Sequence, residues 1–441
     1  MKTAILGGGL TGLTLGYLLK QQHGEIEILE RNQECGGLMR TVQHKGFTFD
    51  WGGSHVIFSK DKKILNFMLG LLGKNRVENR RNTKVLYNGC LVKYPFENGL
   101  SDLPLEENFE CLYDFIKNVI KKEKGALKKP ANLNEWCSYT FGNAIAEKYL
   151  VPYNKKIWKF PLEQMSLEWV EKIPSPPVED VIKSSLGIST EGYVHQLNFY
   201  YPKTGGIQAL IKALENRIGD SVTTNFKVTK ISGKDGNWSI FDDKLEKRCE
   251  KIISTIPIQA LVKAVDAPTG VREAADNLNY NSLITVMIGL KRKLKKKHSW
   301  LYIPAHSILS HRVSFPSNYS LAVSPTGMSS VMAEITCRIG DEQWRSKDDV
   351  IASRVVDDLH KSNIIDKSDV SFVLTRRAEY AYVINDLNYS RNMKTVRSYF
   401  SQRKIGLVGR FSEFKYLNMD DCIRSAMNYA EQIGKIERNI G

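Results

Sequence analysis

Apolar positions near the start of the chain fall into three short runs. Ala4-Ile5-Leu6 is continuously apolar, Leu13 to Leu19 is apolar along a helical stretch, and Ile26-Glu27-Ile28-Leu29 is largely apolar again. Short apolar runs suit strands covered on both faces, so the pattern predicts one strand–helix–strand unit. Three later segments predict returns of the chain to the same layer. They are Tyr201-Pro202-Lys203-Thr204-Gly205-Gly206-Ile207 with its helix and then Phe226 to Ile231; Lys251 to Pro257, stopped by the proline; and Ile405 to Arg410, followed by a helix from about Met419 to Ile433. Between them lie two insertions. Leu105, Phe109, Leu112, Phe115, Ile116, Val119 and Ile120 have helical spacing, and a second helical stretch spans about Leu133 to Tyr149. The region from 280 to 385 carries β-rich runs, Ser282 to Ile288 and Val370 to Leu374, and predicts an antiparallel sheet forming the far wall of a cleft.

The junction of the first strand and helix carries chemistry. It reads Gly7-Gly8-Gly9-Leu10-Thr11-Gly12, a Gly-x-Gly-x-x-Gly turn, and the next strand ends on Glu30. Strand, glycine turn, helix and an acid about 20 residues on form the dinucleotide-binding βαβ unit. Gly7 makes the turn, Gly9 admits a pyrophosphate, and Gly12 lets the helix pack on the strand. The helix N-terminus, with free N–H groups at Leu10 and Thr11, faces the phosphates, and Glu30 accepts from a ribose. Glu30-Arg31 is followed by Cys35-Gly36-Gly37-Leu38, a second close backbone approach. This extension resembles FAD-binding flavoproteins of the glutathione-reductase and amine-oxidase type. The fold class expected is α/β. A Rossmann-like FAD-binding domain comprises 1–70, 200–265 and 395–441. A mainly helical insertion spans 101–195, and an antiparallel-sheet substrate domain spans 71–100 and 266–394.

Composition narrows the class. With 441 residues the chain exceeds one ordinary core. No apolar run reaches transmembrane length, and the glycines make the N-terminus a βαβ opening rather than a signal peptide, so the cytoplasm is the expected compartment. The seven scattered cysteines show no metal or disulfide spacing. A net charge of +15 fits a field that attracts an anionic substrate; no nucleic-acid module is visible.

Several motifs together are similar to the UDP-galactopyranose mutase family, particularly its eukaryotic type. They are Phe49-Asp50-Trp51-Gly52-Gly53-Ser54-His55, Tyr94-Pro95-Phe96-Glu97-Asn98, Pro152-Tyr153-Asn154 through Trp158, Trp300-Leu301-Tyr302, Arg312 through Tyr319, Tyr380-Ala381-Tyr382, and Gly409-Arg410-Phe411 through Tyr416. The resemblance implies reduced FAD, with NAD(P)H as a candidate reductant, and a nucleotide-sugar substrate. It also implies interconversion of pyranose and furanose rings: the flavin N5 attacks the anomeric carbon, the nucleotide leaves, and the sugar adduct opens and recloses.

The same resemblance implies residue roles. His55, in a loop with Gly53 and Ser54, tunes the flavin. Arg312 grips the diphosphate with its guanidinium fork, and Arg410, after Gly409, lies beside flavin and substrate. Tyr302, Tyr319, Tyr382 and Tyr416 donate to phosphate oxygens. Asn154 and Trp158, four apart on one helix, face the sugar and nucleotide. Val228 lies at the cofactor, and Asn418-Met419-Asp420 open a helix whose dipole stabilises anionic reduced flavin. The chain departs from the family where Ile173, beside Lys172, replaces an arginine, where Glu97 replaces a glutamine, where Gln196 aligns with an asparagine, and where Ser54 is extra. One lost charge-assisted contact is worth about 1.5–3 kcal/mol. The competing reading is an FAD oxidase of the amine-oxidase or protoporphyrinogen-oxidase type, which shares the N-terminal motifs.

Overall fold

The computed structural model describes residues 2–22, 24–168, 170, 173, 175–191 and 197–440. A five-stranded parallel sheet gathers distant segments in the order 406–407, 251–254, 2–6, 25–29 and 222–223. Both faces of its central strand are covered. Ile5 points into a core with Leu13, Ile28, Ile253, Leu210 and Ile423, so the helices Leu10–Gln21, Gln208–Ile218 and Met419–Ile440 meet on that side. Ala4, Leu6 and Ile252 point the other way, into a core with Trp238 and Ile240 of the antiparallel sheet formed by 230–234, 237–241 and 246–249. Double coverage explains why these strands read as apolar runs without clean alternation.

The return at Phe226 to Ile231 differs from the expected strand. Only Val222–Thr223 joins the parallel sheet. Asn225 then turns with φ 56°, and Phe226 donates its N–H to the Glu30 carbonyl before the chain passes to the three-stranded sheet at Lys230.

The second large element is a seven-stranded sheet ordered 370–383, 280–290, 329–337, 312–314, 300–302, 83–87 and 90–93. It is antiparallel except where 300–302 runs parallel to 83–87. Tyr280–Leu290 is its spine and is buried from Asn281 onward. The neighbouring strand Val77–Arg80 lies outside this sheet and pairs with Asn198–Tyr201.

The helical insertion begins with Leu105–Glu123. The helix is found, but its apolar residues do not share one buried face. Cys111 and Phe115 are buried, but Leu105, Phe109 and Ile120 are exposed at 77%, 65% and 46%. Their spacing is helical, yet it follows the outer side of the helix, because an apolar period does not say which face meets a core. The predicted helix over Leu133 to Tyr149 is interrupted at Gly142, with φ 78°, between Leu133–Phe141 and a helical run that continues through a wider turn at Ala146–Leu150 into Val151–Trp158.

Ile253, fully buried in the parallel sheet, and Phe109 give opposite expectations in urea titrations. Ile253→Ala should cost about 2–5 kcal/mol of unfolding free energy, whereas Phe109→Ala should stay within about 0.5 kcal/mol of wild type.

Candidate active site

The two sheets enclose a cavity of about 880 Å³ that runs from the first glycine turn to the seven-stranded sheet. At its near end, Gly7 adopts φ 99°. A Cβ on Gly12 would lie 2.0 Å from the Gly7 carbonyl oxygen, so helix and strand pack too closely for any side chain there. A Cβ on Gly9 would meet no protein atom, although Gly9 lines the cavity, so the space beside it is room for a ligand. Gly36, with φ 124°, donates its N–H to the Gly8 carbonyl and braces the second glycine pair against the first. Glu30 accepts from the Gly8 N–H at 2.8 Å and from the Asn32 backbone and side chain at 2.9 and 2.6 Å.

Leu10, Thr11, Arg31, Gly37, Leu38, Val228, Asn418, Met419 and Asp420 also line this end. Gly409, at φ 86°, packs where a Cβ would strike Thr11, and the carboxylate of Asp420 accepts from Ser59 at 2.8 Å. Arg40, which sequence reasoning missed, lies with its guanidinium 3.1 Å from the centroid of Trp51 and donates to the Gly37 carbonyl. An open glycine cradle, a helix N-terminus and an acid placed to meet a ribose fit a flavin dinucleotide.

The middle of the cavity is organised by a buried carboxylate. Glu334 is fully buried and accepts from Arg312 Nε at 2.8 Å, Arg312 Nη2 at 2.6 Å and the Ser54 N–H at 3.0 Å. Arg312 Nη2 also approaches the Ser54 carbonyl at 3.3 Å. The fork assigned from sequence to a diphosphate is therefore committed to Glu334, and only the Nη1 edge remains for a ligand. Burial opposes the charge on Arg312, but Glu334 outweighs it and the guanidinium stays ionised. A Cβ on Gly53, at φ 91°, would fall 2.7 Å from the same carboxylate. His55 Nδ1 lies 2.8 Å from the Gly53 carbonyl, which can only accept, so Nδ1 carries the proton and Nε2 is bare. Burial, with repulsion from Arg312 and Arg410, pushes its pKa down to about 4, leaving a neutral ring.

Arg410 spans two segments. Its Nη1 donates to the Leu417 carbonyl and its Nη2 to the Ala381 carbonyl, at 2.8 and 2.6 Å. Its guanidinium lies 4.6 Å from the ring centroid of Tyr416 and 5.6 Å from that of Tyr382.

The far end is aromatic. Tyr302, Tyr382, Tyr416 and Asn154 line it, as expected, together with Tyr94 and Tyr153, which had been given no role. Tyr94 and Tyr153 stand 4.8 and 5.3 Å from Tyr302, ring to ring. Burial raises the pKa of Tyr94, Tyr153 and Tyr382, so these phenols remain protonated donors.

Two predicted members are absent from this wall. Trp158 is 2% exposed and donates to Asn154 Oδ1 at 2.9 Å, packed inside the helical core. Tyr319 is 1% exposed and sits in a separate aromatic cluster with Phe199 and Tyr201. Its hydroxyl donates to the Ser299 carbonyl at 2.9 Å and pairs with Ser54 Oγ at 3.0 Å. The Tyr319 hydroxyl is thus engaged by Ser299 and Ser54, and Tyr319 is not among the residues lining the cavity. Ile173 and Glu97 both line the cleft; Lys172 and Gln196 lie outside the described residues.

Comparison with known proteins matches a family model, flavin containing amine oxidoreductase, over residues 10–433. The chain belongs to this family. It is an enzyme-family fold with a flavin as its defining group. UDP-galactopyranose mutase of Mycoplasma pneumoniae is 23% identical over 220 residues, covering 49% of this chain and 53% of that protein. A 4,4'-diapophytoene desaturase of Staphylococcus aureus is 35% identical over 81 residues, which are 18% of this chain and 16% of that protein. The chain thus matches only about half, or less, of the length of these curated relatives. A crystal structure of reduced UDP-galactopyranose mutase superimposes with a TM-score of 0.90 at 24% identity, covering 99% of this chain and 96% of the other. A putative protoporphyrinogen oxidase from Exiguobacterium gives 0.75 at 19% identity, covering 98% of each chain. These establish the α/β flavoprotein fold. Among the described residues no helix is long and apolar enough to cross a membrane.

Behind the His55 loop, Asp50 supplies a pH test. It is buried and accepts from the Tyr201 hydroxyl at 2.9 Å and the Ile207 N–H at 2.9 Å. Desolvation outweighs these bonds and pushes its carboxyl up to about 7. The folded state therefore holds a proton that the unfolded state has released above its ordinary value of 3.8. The Asp50 contribution to stability should fall as pH rises from about 4 to 7, by at most ~1.4 kcal/mol per pH unit. His55 contributes the opposite slope over part of this range. Subtracting urea-derived stabilities of Asp50→Asn from wild type cancels the His55 part, and a flat difference would refute the assignment.

Proposed function

We propose that this protein holds FAD, in its reduced form when active, and interconverts the pyranose and furanose forms of a nucleotide sugar, UDP-galactopyranose and UDP-galactofuranose. The observation that carries this reading is the far end of the cleft. The phenols of Tyr302, Tyr382 and Tyr416 line a cavity that also receives an edge of Arg312. Such a wall suits the oxygens of a diphosphate, because phenols donate hydrogen bonds without adding charge. An apolar substrate such as a polyene has no use for it. The partial likeness to a UDP-galactopyranose mutase supports the same reading.

In this reading the segments 1–70, 200–265 and 395–441 form the cofactor domain, while 101–195, 71–100 and 266–394 supply the substrate walls. Glu30, the glycine turns and the helix starting at Met419 hold the dinucleotide. When bound, reduced flavin would supply the nucleophile for the anomeric carbon, with NAD(P)H a candidate reductant. The residues of the chain position the sugar and carry charge. His55, kept neutral, offers Nε2 as an acceptor toward the flavin. Arg312, held by Glu334, places one charged edge against the departing diphosphate. Arg410 fixes the aromatic lid of Tyr382 and Tyr416 by its two carbonyl contacts. Glu97 and Ile173 stand where a more basic or amide-bearing wall would bind diphosphate more strongly.

Protein with dithionite-reduced flavin, incubated with UDP-galactofuranose, should form UDP-galactopyranose by chromatography, while the oxidised protein should not. No conversion despite bound, reducible flavin, together with oxidation of an amine or a polyene, would favour the oxidase reading instead. Replacing Tyr302, Tyr382 and Tyr416 singly by Phe should weaken UDP binding by about 0.5–1.5 kcal/mol each, measured by calorimetry. Unchanged affinity in all three variants would remove the observation on which the reading stands.

A further inference from the structure

His311 directly precedes the strand Arg312–Ser314. Its backbone is fixed on both sides: the N–H donates to the Glu334 carbonyl, and its carbonyl accepts from Ile303. The side chain is 1% exposed, yet it forms part of the cleft wall. It stands between Tyr153 at 6.5 Å and Tyr382 at 6.2 Å, the second contact edge-on. Neither ring nitrogen has a hydrogen-bond partner. The nearby Lys156 Nζ donates to the Ile303 and Ala305 carbonyls and not to His311. Burial, and then the positive charges of Arg312, Lys156 and Lys159, keep the imidazole neutral. It therefore carries one N–H donor and one bare acceptor. A histidine that serves only as packing in a protein interior normally finds at least one partner; this one finds none in the protein, and its residue is part of the cleft lining.

We propose that His311 reads a hydroxyl of the substrate sugar and is a specificity-determining residue of the cleft. The inference rests on the nucleotide-sugar reading. A hydroxyl both donates and accepts, so it satisfies either nitrogen whichever tautomer is present. Phosphate oxygens only accept, and the Arg312 edge and the tyrosine hydroxyls already face them. An ammonium only donates, and a hydrocarbon does neither. The position of His311, beside Arg312 and against Tyr153 and Tyr382, places the sugar next to the diphosphate, as the covalent connection of a nucleotide sugar requires. Discrimination is strong at such a site, because a substrate lacking the hydroxyl leaves a buried group unpaired.

The test compares affinities of the flavin-loaded protein for UDP and for UDP-galactopyranose by displacement of a fluorescent UDP analogue. His311→Phe should keep flavin content, flavin spectrum and UDP affinity. It should weaken UDP-galactopyranose binding about ten- to a hundred-fold, the loss expected for an unmade buried hydrogen bond. His311→Gln, which restores a donor and an acceptor, should recover part of that loss. If His311→Phe does not fold, His311→Gln and His311→Met are compared, and Gln must bind UDP-galactopyranose at least about ten-fold more tightly. Equal affinities in that pair, or wild-type sugar-nucleotide affinity in His311→Phe, overturn the role of His311 alone. A wild-type protein that binds UDP but gains nothing from the sugar also overturns it. Failure of the wild type to bind either ligand overturns the nucleotide-sugar reading, and this inference falls with it.

Discussion

A carboxylate with no exposed surface must be neutralised, and at Glu334 that requirement joins the two halves of the molecule. Its oxygens take two donors from Arg312, its register partner on the adjacent strand, and one from Ser54 in the loop that carries His55. Its backbone carbonyl fixes His311. Removing one partner from such a buried pair typically costs about 3–5 kcal/mol, because the other charge is left uncompensated. The loop therefore cannot drift from the sheet without taking the Ser54 donor from the carboxylate and the Ser54 carbonyl from Arg312. Its glycine at 53 is required for the same reason, since a side chain would occupy the position of the carboxylate.

Around this pair the cleft separates fixed charge from neutral hydrogen-bonding capacity. Arg312 and Arg410 are each held by two acceptor groups or more, so their orientation does not depend on a ligand. His55 and His311 are neutral, and the buried phenols of Tyr94, Tyr153 and Tyr382 keep their protons. Such a wall meets a polyanionic ligand with dipoles already pointed, and little reorganisation is needed when charge moves.

The legible parts of the sequence were the local ones. A glycine turn between a strand and a helix is set by contacts within a few residues, so Gly7, Gly9, Gly12 and Glu30 could be read directly, as could the apolar strands of the parallel sheet. What failed depended on partners distant in sequence. Arg312 looked free until Glu334, across a strand pair, claimed its fork. Tyr319 and Trp158 carry the right side chains at familiar positions, but both are buried and bonded to Ser54 and Asn154. The apolar residues of Leu105–Glu123 have one period and two faces, and only tertiary packing selects between them. His311 left no signal beyond adjacency to an arginine, because its meaning lies in what it does not touch. Arg40 and Tyr94 stood inside motifs that were noticed, without a reason to single them out.

The order of strands in the parallel sheet also constrains how the chain can acquire its shape. The strand 2–6 lies beside 251–254, which in turn lies beside 406–407, and the helix Met419–Ile440 packs on the same core as Leu10–Gln21. The unit of strand 2–6 and helix Leu10–Gln21 thus lacks two of its neighbours until the segments 251–254 and Met419–Ile440 have been made. During translation its apolar surfaces must wait, either covered by transient contacts or shielded by chaperones, while the intervening cleft walls fold. Closure of such sequence-distant contacts is slow. The glycine turn is consequently translated long before the strands and the helix that close its layer.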